Sequence, residues 1–127
     1  MKKIIETPHA PAPIGPYSQA VQVGETLYVS GQIAIDPVNG TMNMDTLETE
    51  THQVMKNLGA ILETVGMAYA NIVKTSIFLS DMGDFSRVNA VYGSYFTSQF
   101  PARETVEVAG LPKGVNVEIS VIAVKSE

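Results

Sequence analysis

The sequence predicts an α+β sandwich: one mixed six-stranded sheet with two helices on one of its faces. Apolar residues recur at helical spacing in only two stretches. The other apolar segments are short, rich in β-branched residues, and bounded by glycine, proline, asparagine or aspartate. In chain order the segments read β-β-β-α-β-α-β-β. Two helices cover only one face of such a sheet, yet Ile72–Leu79 and Val115–Val124 carry apolar residues on both parities. A second buried face implies another sheet, and its simplest source is another copy of the chain.

"KKIIE" is the first strand, and "TPHAPAPIGP" follows it with four prolines that forbid regular structure. Tyr17–Val23 and Thr26–Ile35 read as two strands joined at Gly24-Glu25, a hairpin signal. In the second, Leu27, Val29, Ile33 and Ile35 alternate with Tyr28, Ser30, Gln32 and Ala34, and "DPVNG" ends it. From Thr46 to Val65, Leu47, Val54, Leu58, Ile61, Leu62 and Val65 follow helical spacing. Asp45 or Thr46 suits its N-cap and Gly66 its stop. "NIVKTSIFLSD" is a β-branched strand. A second helix is expected over Asp84–Gln99, with Phe85, Val88, Tyr92, Tyr95 and Phe96 on one stripe and Pro101 beyond its end. The stretch "FPARETVEVAGLPKGVNVEIS" then reads as a closing hairpin.

Composition narrows the function. The 127 residues make one domain, 45% hydrophobic and 17% charged, with no repeat and no linker-like shift. A net charge of −5, with eight scattered Lys and Arg, argues against a phosphate-binding surface, so nucleic acid is not an expected partner. Without cysteine there is no disulfide, thiolate metal site or thiol nucleophile. "MKKIIETPHA" lacks the apolar region of a signal peptide, and no run reaches membrane-spanning length, so the expectation is a cytoplasmic protein. His9 and His52 are far apart with no ligand-like spacing, so no metal is expected. Asn39-Gly40-Thr41 reads as turn chemistry.

The closing hairpin poses the functional question, because it carries charges among valines. With a turn at Gly110–Lys113, Ala109 faces Gly114, Val106 faces Val117, Thr105 faces Glu118 and Arg103 faces Ser120. This register gathers Arg103, Thr105, Glu107, Asn116, Glu118 and Ser120 on one face and makes Arg103 and Glu118 diagonal neighbours. They are either a solvated surface pair, or a fork for a ligand carboxylate beside an acid that handles a proton or a water. Spacing leaves both open.

"PAR" followed by "VEVAGLPKGVNVEI", with "PIGPYSQAV", "LYVSGQIAI" and "VKTSIFLSDMGDFSRVNAVY", resembles the RidA/YjgF family of imine/enamine deaminases over nearly the whole chain. The resemblance implies a chorismate-mutase-like fold assembled as a homotrimer around a central β-barrel, with clefts between subunits. It also implies hydrolysis of small 2-imino or 2-enamino acids, such as 2-aminoacrylate, to 2-keto acids and ammonia, without a cofactor. Carried over by position, Arg103 grips the substrate carboxylate and Glu118 orients the attacking water. Tyr17, Ser30, Gly31, Asn89 and Thr105 fall in the matching blocks and complete the pocket. Many members have cysteine where this chain has Thr105, so any thiol chemistry is absent here. Glu104 replaces a small residue and is expected on the opposite strand face. The alternative function is a non-catalytic sensor of keto acids or amino acids using the same cleft. A weaker one is the ribonuclease or translation-inhibitor activity ascribed to some relatives.

Overall fold

The structure, a computed structural model, describes residues 1–126. Its strands are β1 (Lys2–Ile5), β2 (Ala20–Val23), β3 (Thr26–Gln32), β4 (Ile72–Leu79), β5 (Ala102–Glu107) and β6 (Val117–Val124). Its helices are α1 (Leu47–Thr64) and α2 (Phe85–Gly93). The element order is the one the sequence predicts.

α1 begins where Thr46 accepts the N–H of Thr49 at 3.0 Å. It ends at Gly66, whose φ of 75° lets Gly66 N and Met67 N close back onto the carbonyls of Glu63 and Leu62. Its inner stripe of Val54, Met55, Leu58, Ile61 and Leu62 is fully buried, each side chain stabilising the fold by roughly 1.5–3 kcal/mol. Arg87 clamps α2 to α1 through two hydrogen bonds to Glu48, of 2.8 and 2.7 Å.

α2 stops at Gly93, six residues short of the predicted end. Gly93 and Ser94 are weak helix formers, and the Ser94 hydroxyl donates to the Val91 carbonyl at 2.6 Å. The chain then turns so that Tyr95 and Phe96 still reach the core, against Tyr69 and Tyr92.

The sheet order is β1-β2-β3-β6-β4-β5. β2 and β3 form the expected hairpin around Gly24-Glu25, with Val23 opposite Thr26. The expected closing hairpin does not form. β5 lies parallel to β4, with Thr75 beside Arg103, while β6 runs antiparallel on the other side of β4, with Phe78 beside Glu118. The β4-α2-β5 crossover docks β5 parallel to its predecessor. β6, apolar on both parities, takes the sheet centre. β5, bearing Arg103, Glu104, Thr105 and Glu107, takes the edge, where charge is tolerated.

This topology decides the faces. Thr75, Arg103 and Val121 align, as do Ile77, Thr105 and Ile119, and they face the helices. Lys74, Ser76, Phe78, Glu104, Glu118 and Ser120 lie on the other face, which no helix covers. There Ser76 donates a hydrogen bond to Glu104 and Lys74 pairs with it at 2.9 Å, so Glu104 does point away from Arg103. The predicted single polar face, with Arg103 and Glu118 as neighbours, is therefore incorrect.

Candidate active site

Two half-sites result, one on each side of the sheet. The first surrounds Glu118. Opposite β6, β3 gains one residue between Val29 and Gln32, so Ser30-Gly31 forms a bulge. A Cβ at Gly31 would overlap the Glu118 carboxylate, so glycine is what lets the acid lie against the backbone there. The cleft above it, about 360 Å³, is walled by Pro11, Ile14, Ile33, Ile35 and Pro112, with Tyr17, Ser30 and Gln19 as polar groups. Tyr17 and Glu118 are its titratable groups. Burial pushes the Glu118 carboxyl above the ordinary carboxylate range.

Tyr17 is half exposed, and its phenolic oxygen accepts the Ile14 N–H at 3.3 Å. The Ser30 hydroxyl donates to the Ser18 carbonyl at 2.6 Å, which spends its one proton and leaves its oxygen to act as an acceptor. The segment that precedes them is held by a buried amide that sequence reasoning missed. Gln19 accepts the Thr7 N–H at 2.7 Å and donates to the carbonyls of Thr7, Ala10 and Pro11 at 3.0, 3.2 and 2.8 Å. A signal existed: a proline-rich segment has carbonyls that no ladder serves, so some side chain must donate to them.

The second half-site surrounds Arg103. Its guanidinium donates to Asn89 Oδ1 at 2.7 Å and lies over the rings of Tyr92 and Phe85, at 5.3 and 5.6 Å. Among the described residues no carboxylate pairs with it. Tyr92 is fixed by donating to Thr75 at 2.9 Å, and burial raises its phenol above the usual range. A fork set against two rings, with no internal acid, is prepared for a planar anion. On the same face, Thr105 Oγ1 is buried and has no hydrogen-bond partner. In the sequence, Phe85 and Tyr92 show only as members of one stripe of the second helix. Their role under Arg103 depends on the β4–β5 pairing, which the hairpin expectation concealed.

The structure thus brings Tyr17, Ser30, Gly31 and Glu118 together, and separately Asn89, Arg103 and Thr105. It does not bring the two sets together within one chain. Among the described residues no group of three or more His, Asp or Glu could hold a metal ion, and no helix is long and apolar enough to cross a membrane.

Comparison with known proteins shows what the whole chain is similar to. Residues 7–125 match the family described as endoribonuclease L-PSP. A mouse protein named 2-iminobutanoate/2-iminopropanoate deaminase is 49% identical, over 98% of this chain and 93% of its own length. A Lactococcus lactis protein named as a candidate regulator, AldR, is 53% identical, over 95% of this chain and 96% of its own. The crystal structure of a candidate endoribonuclease from Thermotoga maritima superposes with a TM-score of 0.96 at 50% identity, covering 100% of both chains.

Proposed function

Because the chain belongs to the endoribonuclease L-PSP family, the RidA/YjgF proteins that it resembles in sequence, we propose that it hydrolyses small 2-imino and 2-enamino acids to 2-keto acids and ammonia. The observation that carries the proposal is Glu118, a desolvated acid lodged against Gly31 at the foot of a cleft. The 2-iminobutanoate and 2-iminopropanoate named for the mouse relative set the substrate class.

Arg103 and Glu118 lie on opposite sides of the sheet, so one chain cannot present both to one small molecule. The reaction needs a second copy, with Arg103, Asn89 and Thr105 of one subunit meeting Tyr17, Ser30 and Glu118 of its neighbour. The homotrimer that the family resemblance implies would provide such a cleft. Half-exposed Ile4, Tyr28 and Val106 on the uncovered sheet face support it as a surface that a further copy buries.

In this cleft Arg103 holds the substrate carboxylate. An enamine first takes a proton from water at its methylene carbon and loses one from its nitrogen to water, becoming the imine. Water adds to the C=N carbon while Glu118 takes one of its protons and passes it to the nitrogen, giving a carbinolamine. The carbinolamine hydroxyl then gives its proton to the nitrogen, the C–N bond breaks, ammonia leaves, and the keto group forms. No protein nucleophile takes part, so threonine at 105 is compatible with turnover.

The test is release of ammonia and keto acid from freshly generated 2-aminoacrylate or 2-iminobutanoate. A rate equal to the protein-free control removes the proposal. The identity to AldR favours a second reading, a keto-acid or amino-acid sensor in the same cleft. Saturable keto-acid binding without turnover would select it.

Gly31→Ala supplies a local check. The atoms its Cβ meets first belong to the Glu118 side chain, which can swing away. The substitution should therefore lower melting stability by only about 1 kcal/mol, while turnover falls on the order of tenfold or more because the acid is displaced. Calorimetry and the ammonia assay on one preparation measure both. A stability loss without an activity loss would separate Gly31 from the site.

A further inference from the structure

Glu50 is fully buried on the inner side of α1, and no cation pairs with it among the described residues. Both of its oxygens accept. Oε2 receives the backbone N–H groups of Asn116 and Val117 at 2.8 and 3.3 Å, and Oε1 receives the Asn116 side-chain amide at 2.7 Å. An unpaired buried carboxylate is an expensive way to stabilise a core, and an apolar residue would serve packing better. Its location gives the reason. The β3–β6 ladder ends at Gln32 beside Ile119, so β3 offers nothing to the next residues of β6. Glu50 takes up the N–H groups that lie beyond the end of β3.

Glu118 sits between these two anchors, the Gln32–Ile119 pair on one side and the Glu50 clamp on the other. We infer that Glu50 is a positioning residue for Glu118, pinning the start of β6 at Asn116 and Val117 so that the Glu118 carboxylate stays lodged against Gly31. If the clamp were lost, Asn116–Glu118 would keep its pairing to β4 and fray on the β3 side, letting the carboxylate swing out into water. The importance of that placement for turnover rests on the proposed role of Glu118 in handling water; the placement itself does not.

Wild type, Glu50→Gln and Glu50→Met test the inference. Glutamine keeps one acceptor oxygen, and Asn116 can turn its amide to accept from the new NH₂. Methionine keeps the reach and offers no such acceptor. The deciding readout is the titration midpoint of Glu118, followed by ¹³C NMR of labelled glutamate side chains and assigned with Glu118→Gln. It needs no substrate. The midpoint should move down toward the ordinary carboxylate range, slightly in the glutamine variant and further in the methionine one. In an active wild type, kcat should fall on the order of tenfold in Glu50→Met, with KM within about threefold because Arg103 is untouched. A purely structural Glu50 would lower the melting temperature and leave the midpoint in place, and that result overturns the inference. If Glu50→Met does not fold, an unmoved midpoint in Glu50→Gln overturns it equally. If wild type clears no imine while the midpoint moves, the positioning role stands and the deaminase proposal falls. If imine is cleared and the midpoint stays, the reverse holds.

Discussion

Arg103→Lys is expected to remove most imine hydrolysis, on the order of 10²-fold, and Arg103→Ala to abolish it. Lysine keeps the charge but loses the planar fork, and with it the bidentate grip that fixes the C=N carbon before the water. It also loses the guanidinium contact with the Tyr92 and Phe85 rings, and an ammonium that bonds Asn89 has no second, coplanar nitrogen to grip both carboxylate oxygens. The loss should fall on kcat as well as KM, because a mobile carboxylate misplaces the reacting carbon. The effect on folding should be modest, about 1–3 kcal/mol, mainly from the unpaired Asn89 amide. Light scattering should show an unchanged assembly. An alanine variant that turns over at the wild-type rate would remove Arg103 from the site.

What the sequence disclosed follows from how local each signal was. α1 was legible from its spacing, its Thr46 cap and its Gly66 stop, which all lie within the helix and its ends. The β2–β3 hairpin was legible because Gly24-Glu25 leaves no room for another connection. Even the Ser30-Gly31 bulge was foreshadowed by a glycine within a strand pattern. The final two strands are the exception, because neighbours in sequence are not neighbours in space there. A corrective cue was present: β5 is charged where β6 is apolar on both parities, which marks one as an edge and the other as a centre. Reading that cue would have placed β4 between them and separated Arg103 from Glu118. Glu50 also left a trace, since it stands three residues after Leu47 and four before Val54, on the apolar stripe itself. Helical spacing places the charge there. Only the end of the β3–β6 ladder says what it is for. Gln19 belongs with it, because both residues answer backbone groups whose lack of a partner is a tertiary fact.

Glu118→Gln should reduce turnover by roughly 10²-fold, the usual scale of general acid–base assistance, while keto-acid binding through Arg103 changes far less. Stability should not suffer. The folded pKa of Glu118 is raised, so its contribution is present below the unfolded value of about 4.3 and lost as pH rises through the folded value. At neutral pH the neutral glutamine should therefore melt no lower than wild type. A fully active Glu118→Gln would take the glutamate out of the mechanism. The same variant tests the division of the site between chains. Arg103→Ala retains a sound Glu118 half, and Glu118→Gln retains a sound Arg103 half. Unfolded together in equal amounts and refolded, they should form mixed trimers in which each cleft draws its halves from two neighbours. One pairing in four joins two intact halves, so about a quarter of wild-type turnover should return from two nearly inactive parents. The two chains refolded separately and then combined should show no such gain until subunits exchange. Native mass spectrometry would establish that mixed trimers are present. If they are and activity stays at the parental level, the catalytic pair does not lie across a subunit boundary. Arg103 and Glu118 would then act apart, and the opposite-face geometry would have to be explained by two separate sites.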